Sequence, residues 1–287
     1  MAGFGLGLLF VAIWASAFTA IKGLVPEWPP LWGVAARFAL VVPVLALVLA
    51  VRGVRLPQRG DIARLTAMGV FGTAGYLAPA WMASAVLPSG LVALLSSTAP
   101  LFVAAGEALV LRQRVPPLAW AGLGLGWLGV AVLGAGRGLG DFHAAEGWAV
   151  LLALGGALSQ AVGLLCFAPA RGRVDAWTAN FGQTTVAAVT LLLLAGLLEP
   201  RLPGVPSLTA ALSLLYGVLV VGVGGYALYF VMLKRLPPAT AAALQLLAPP
   251  LAAVFGWALL GERLAWTDLA GGAVTLTGLA VLFQARR

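Results

Sequence analysis

The sequence predicts an all-α polytopic membrane protein in which ten transmembrane helices form two inverted five-helix repeats. Three observations carry that prediction. Of 287 residues, 62% are apolar and 9% charged, where a soluble fold needs about 25% charged residues to coat its surface. Ten apolar stretches approach the roughly 20 residues that cross a bilayer. The second half of the chain repeats the first at a nearly constant offset.

The spans run Phe4 to Ile21, Leu31 to Val51, Leu65 to Met82, Ser89 to Leu111, Leu118 to Ala135, Gly147 to Phe167, Ala176 to Leu198, Leu208 to Met232, Ala239 to Leu260, and Trp266 to Phe283. Short connections rich in Pro, Gly and Arg separate them, as at Pro26 to Pro30, Pro116-Pro117 and Pro200 to Pro206. No basic segment precedes the first span, which reads as a retained helix rather than a signal peptide. With the N-terminus inside, twelve of the seventeen basic residues fall on cytoplasmic loops and the tail. Lys and Arg in short loops stay on that side, so both termini are expected to be cytoplasmic and the protein to lie in the cell's inner membrane. The net charge of +8 is thereby spread over separate loops, which argues against a nucleic-acid groove.

The repeat is expected to divide the chain into units 1–135 and 147–287. At an offset of 150, Gly72-x-x-Gly75-Tyr76 falls on Gly222-x-x-Gly225-Tyr226, and Pro88, Pro100 and Gly106 fall on Pro238, Pro250 and Gly256. At 149, Gly122 and Gly129 match Gly271 and Gly278; at 143, Ser16 and Phe38 meet Ser159 and Phe181. Five spans are an odd number, so the second copy is expected upside down relative to the first. Inverted repeats are a transporter architecture with a substrate site near the midplane.

Particular residues carry a family resemblance: Trp14-Ala-Ser16-Ala-Phe18 in the first span, Arg37-Phe38 in the second, Pro88 to Pro100 and Pro238 to Pro250 in the fourth and ninth, and Gly261-Glu262-Arg263-Leu264 after the ninth. On these the chain resembles the drug/metabolite transporter superfamily, specifically its ten-helix EamA-type exporters. The resemblance covers the whole chain. It implies export of amino acids or related metabolites by alternating access. The first half departs from the pattern, with Arg112-Gln113-Arg114 where the second has Gly-Glu-Arg.

Two ionisable residues stand clearly inside spans, and such residues are functional candidates. Arg37 lies about 8 Å from the outer end of its helix and Glu107 about 6 Å from the inner end of its own, at 1.5 Å per residue. Both are candidates for coupling or gating. Glu107 reads either as a proton carrier or cation partner, or as a carboxylate reaching the interface near Arg112; Arg37 reads as a gate or as an interface anchor. So few buried charges exclude a polyanionic cargo. A neutral or zwitterionic one is held instead by hydroxyls, amides and rings. The candidate substrate-binding residues are Trp14, Ser16, Thr19, Tyr76, Trp81, Ser96, Ser97 and Thr98 in the first half, and Ser159, Gln160, Tyr226, Tyr229 and Gln245 in the second. Pro79, Pro100, Pro249 and Pro250 are candidate hinges in a moving core of spans 3, 4, 8 and 9 with 1 and 6.

Other features have plainer readings. Trp28, Trp32, Trp120, Trp148, Trp177 and Trp266 form interfacial belts, and Cys166 is expected in the core. Gly122-x-x-x-Gly126 and Gly271-Gly272 permit close helix contact, within the protein or in a dimer; the fifth and tenth spans are expected to be peripheral. One histidine and one cysteine argue against a catalytic triad or metal cluster, so neither an enzyme nor a cofactor is expected. The expected partners are a small-molecule substrate and the bilayer, with a monomer or weak dimer. The favoured cargo is an aromatic or large apolar amino acid, moved downhill or by proton exchange. The alternative is a proton-coupled exporter of multidrug or cationic compounds working through Glu107.

Overall fold

The structure is a computed structural model and describes residues 2–21, 23–53, 57–83, 95–135, 147–260 and 266–285. Among these the chain is all helical, without strands. Four helices are long and apolar enough to cross a membrane: Pro30–Arg52, Gly147–Ala170, Ala176–Leu198 and Leu208–Arg235.

In chain order the helices are α1 (Ala2–Ile21), α2 (Pro30–Arg52), α3 (Arg59–Ala67), α4 (Gly75–Ala83), α5 (Ala99–Leu109), α6 (Pro117–Ala135), α7 (Gly147–Phe167), α8 (Ala176–Leu198), α9 (Leu208–Tyr216), α10 (Tyr226–Arg235), α11 (Pro238–Ala243), α12 (Ala248–Leu260) and α13 (Trp266–Ala285). Several of their ends are explained locally. Pro30 starts α2, where its missing N–H costs nothing, and Gly53 ends it at φ 62°, the left-handed conformation glycine takes without strain. Asp175 caps α8 by accepting from the amides of Trp177 and Thr178, and Ser207 caps α9 by accepting from Ala210 N.

The third span is not a plain helix kinked at Pro79. It runs through α3, a π-helical segment Met68–Ala74, and α4, which contains Pro79. The eighth span repeats this with α9, a π-helical segment Gly217–Gly225, and α10. Each π segment ends at the repeated Gly-Tyr, at Gly75-Tyr76 and Gly225-Tyr226. Position 229, the equivalent of Pro79, is tyrosine, so proline is not the shared feature; Gly-x-x-Gly-Tyr is. π turns are rare and concentrate at functional sites.

The fourth and ninth spans are also broken. Residues 97 and 98 form a turn before α5, and Pro100 stands in the first turn of that helix. A 3₁₀ segment, Leu244–Leu247, precedes α12, which begins Ala248-Pro249-Pro250. Three of the four expected hinge prolines therefore sit at the start of a new helix rather than inside a continuous one, because the break comes before them.

Equivalent helices pack in equivalent ways. α1 lies against α12, α10 and the second π segment, while α7 lies against α5, α4 and the first. α2 and α8 pair along their lengths in antiparallel fashion. Glu199, just past α8, accepts from Leu31 N and Trp32 N at the start of α2, both at 3.1 Å. At the opposite end the Arg52 guanidinium lies 5.5 Å from the Trp177 ring centroid.

The expectation of peripheral fifth and tenth spans is refined by the most extensive helix pairing among the described residues, α6 against α13. A Cβ at Gly122 would lie 2.8 Å from the carbonyl oxygen of Gly278, and one at Gly129 would lie 2.6 Å from that of Gly271. The glycines thus serve contact within the protein. In lipid such close packing, more than a hydrophobic effect, holds helices together. Cys166 is exposed on α7 and not in the core; where the solvent is hydrocarbon, a small apolar side chain gains little from burial. Trp120, Trp148 and Trp266 stand exposed in the first turns of their helices.

Candidate functional site

Seven rings line the interior. Phe38 meets Tyr226 edge-on at 5.8 Å, Tyr226 meets Trp14 at 5.4 Å, and Trp14 lies 5.6 Å from Phe10. Phe10 stacks on Tyr229 at 5.2 Å, and Tyr229 continues through Phe230 to Phe167. Each such pair contributes about 0.5–1.5 kcal/mol beyond its buried area. The first span thereby packs on the eighth through the residues flanking the second π segment.

Polar groups gather beside this wall. Tyr76, Tyr226 and Tyr229 are close neighbours, and the Tyr76 hydroxyl faces Ser96. Gln160 Nε2 lies 3.5 Å from Gln245 Oε1, at the limit of a hydrogen bond. The Tyr229 hydroxyl is buried near Gln245, without a hydrogen-bond partner among the described residues. Of the expected residues, the structure brings together Trp14, Tyr76, Ser96, Gln160, Tyr226, Tyr229 and Gln245.

Others are engaged by the backbone. Ser159 donates to the carbonyl of Phe71 in the first π segment at 2.9 Å, which accounts for it as a helix contact. Thr98 donates to Leu95 O at 2.6 Å within its own turn. Ser16 bonds Ile13 O at 2.8 Å and the Tyr216 hydroxyl at 2.6 Å. Ser97 is half-buried in the turn before α5. The Thr19 side chain, the Pro88 to Leu94 stretch, and Gly261 to Leu264 lie outside the described residues.

Glu107 is completely buried. The reading of a carboxylate reaching the interface is therefore corrected: its helix ends two residues later, and Arg112, at φ 52°, turns the chain back so that Gln113 N donates to Glu107 O at 2.9 Å. Arg37 is 6% exposed. Its guanidinium carbon stands 4.8 Å from the Phe38 ring centroid, beside Tyr226 and against Gly217 of the second π segment. With Trp81 and Ser213 it lines a cavity of about 10 Å³, room for about one water.

A buried ladder on α8 was missed. Asn180 donates to the π-segment carbonyls of Gly222 at 3.0 Å and Val223 at 3.2 Å. Thr184 donates to Asn180 Oδ1 at 3.0 Å, Gln183 donates to Thr184 at 2.8 Å, and Thr73 in the first π segment donates to Gln183. One helix thus ties both π segments together and satisfies the carbonyls a π turn leaves open. The signal was present as polar residues at i, i+3 and i+4 on an otherwise apolar span.

Charged groups at the two ends make further cross-links. Ser207 N and Oγ donate to Glu27, and these bonds hold the Glu27 carboxyl below its usual range. At the other end Arg173 donates to Asp61 at 2.6 Å and Arg64 at 2.8 Å; the Arg173 hydrogen bond chiefly lowers the Asp61 pKa, against a smaller opposing effect of burial. Asp61 is covered by these arginines, themselves 52% and 36% exposed, rather than by protein depth. Such a pair is worth about 0–1 kcal/mol. Arg171 caps α10 by donating to Leu236 O at 2.9 Å.

This chain is similar to named membrane transporters. It is 26% identical to the uncharacterized inner membrane transporter YedA of Escherichia coli (strain K12), over 91% of this chain and 84% of that one. It is 26% identical to a probable terminal-alkyne amino-acid exporter of Streptantibioticus cattleyicolor, over 96% and 91%, and 29% identical to a probable amino-acid metabolite efflux pump of Salmonella typhimurium, over 96% and 93%. A solved crystal structure superposes with a TM-score of 0.82 at 21% identity, covering 100% of this chain and 99% of the other, which shows the fold alone. The model of the EamA-like transporter family matches residues 1–135 and again 147–284. With helices, π turns and ring wall as described, the chain belongs to the EamA-like transporter family.

Proposed function

We propose that the protein is a multi-pass inner-membrane exporter of neutral or zwitterionic metabolites, amino acids foremost and aromatic or large apolar ones in particular, working by alternating access. In this reading residues 1–135 and 147–287 are inverted repeats that rock about a central site. Support comes from the two family matches, from antiparallel α2 and α8, and from the reciprocal glycines of α6 and α13: Gly122 meets the equivalent of Gly129, and Gly129 the equivalent of Gly122. Such self-complementary contact is what a two-fold axis produces.

The observation that carries the cargo class is the interior itself. A ring wall with tyrosine hydroxyls and two glutamines suits an apolar side chain joined to a small polar head. Phosphorylated cargo would need several buried cations. The amino-acid relatives named above point the same way. Both termini are taken to face the cytoplasm. A second reading, proton-coupled export of cationic compounds, draws on the full burial of Glu107, since a buried carboxylate in a span is a natural proton relay.

The test is uptake by purified protein in proteoliposomes. Labelled L-phenylalanine is expected to accumulate to equilibrium without a pH gradient. Movement of a lipophilic cation alone, driven only by a pH gradient and abolished by Glu107→Gln, would replace the first reading with the second.

A further inference from the structure

We infer that Arg37 is the carboxylate-binding pole of the substrate site, an inference resting on the amino-acid reading above. Arg37 lies within the apolar part of α2, is 6% exposed, and faces a cavity bounded by Leu24, Gly33, Trp81, Ser213 and Gly217. No carboxylate among the described residues pairs with it. Two acids near the start of α2 are committed elsewhere: Glu199 accepts from the first amides of α2, and Glu27 accepts from Ser207. The neighbours of Arg37 include the Phe38 face, Tyr226, Gly217 and the residues of that cavity.

Arginine stays protonated, so it cannot escape burial by becoming neutral. A charge at membrane depth is costly unless it pairs, and the residues that carry such charges mark substrate pathways. Its planar fork matches a carboxylate with two parallel hydrogen bonds. Ser213 adds a hydroxyl to the same wall. Through Phe38 and Tyr226 the guanidinium adjoins the rings of Trp14 and Phe10, and the cavity itself is walled by Ala17, Ala20, Leu24 and Trp81, so a ligand held by its carboxylate at Arg37 sets an apolar side chain against these groups. At about 10 Å³ the cavity holds no more than about one water, and the carboxylate enters when α1, α4 and α9 part.

The asymmetry of the repeat supports this assignment. At the offset of 143 that pairs Phe38 with Phe181, Arg37 falls on Asn180. Asn180 spends its amide on the carbonyls of Gly222 and Val223. The residues equivalent to Gln183 and Thr184 are Leu40 and Val41, so α2 has no ladder to engage Arg37.

The experiment is equilibrium binding to purified full-length protein of four probes: L-phenylalanine, L-phenylalaninamide, 3-phenylpropionate and phenethylamine. Wild-type protein is expected to bind the two carboxylates about ten- to a hundredfold more tightly than the two molecules lacking one. Arg37→Gln should erase that preference and Arg37→Lys should keep part of it, with elution profile and Tm near wild type. The comparison of acid with amide on wild-type protein needs no variant, so misfolding of a mutant does not remove the test. Equal binding of L-phenylalanine and its amide, or binding of no carboxylate, overturns the inference. If 3-phenylpropionate binds through Arg37 and L-phenylalanine does not, the pole stands and the amino-acid reading falls.

Discussion

Arg37 on α2 aligns with Asn180 on α8 at the sequence offset of 143, and the two side chains, both against the second π segment, do opposite things. Asn180 is fully buried and fully used, feeding two open carbonyls and joining Gln183, Thr184 and Thr73. Arg37 is nearly as buried and meets an aromatic face, a tyrosine and a small cavity. On the proposed reading, one copy of the repeat uses its polar residue for structure and the other keeps its own for a ligand.

Substitutions should separate the two roles. The largest effect on folding is expected from Asn180→Leu, which strands two π-segment carbonyls and the Thr184 hydroxyl. Unsatisfied buried groups cost about 1–3 kcal/mol each, so Tm should fall by several degrees, and transport with it; an unchanged Tm would detach the ladder from stability. Arg37→Gln should do the reverse, lowering L-phenylalanine transport at least about tenfold with little change in Tm.

Gly217→Ala comes next. A Cβ there would lie 3.0 Å from Arg37 Cδ, tight enough to shift the side chain but not to break the helix, so KM for carboxylate substrates should rise a few-fold at similar Tm. A rise equal for phenethylamine would argue for a general distortion instead.

The smallest effect belongs to Asp61. Its folded pKa is lowered, so its contribution is complete above the ordinary carboxylate pKa of about 3.9 and fades as pH falls through the folded value. Stability should therefore be flat between about pH 5 and 8 in this respect. Below about pH 4, wild type should lose a margin over Asp61→Asn of no more than about 1 kcal/mol, as followed by thermal unfolding. A margin lost near neutral pH would implicate another group.

The four long spans were legible because lipid imposes length and hydropathy on the chain, and the recurrence of Gly72, Gly75 and Tyr76 as Gly222, Gly225 and Tyr226 is read directly from the sequence. The π segments were not: widening a helix turn leaves no mark on an apolar pattern, and only the contacts of Asn180 and Ser159 with open carbonyls reveal it. Ring partners such as Trp14 and Tyr226 could be chosen by type and depth. The fates of Ser16, Thr98 and Ser159 could not, since a small hydroxyl serves a cavity, a neighbouring helix or its own backbone equally well. The choice between the two readings of Glu107 was not legible, because proximity to a helix end in sequence says nothing about the helices covering it.

The most direct test is exchange of external labelled L-phenylalanine into proteoliposomes preloaded with unlabelled L-phenylalanine, comparing wild type, Arg37→Gln and protein-free vesicles at equal pH on both sides. The account predicts rapid exchange by wild type and exchange lowered at least about tenfold in a folded Arg37→Gln protein. Wild-type exchange no faster than in protein-free vesicles would contradict it.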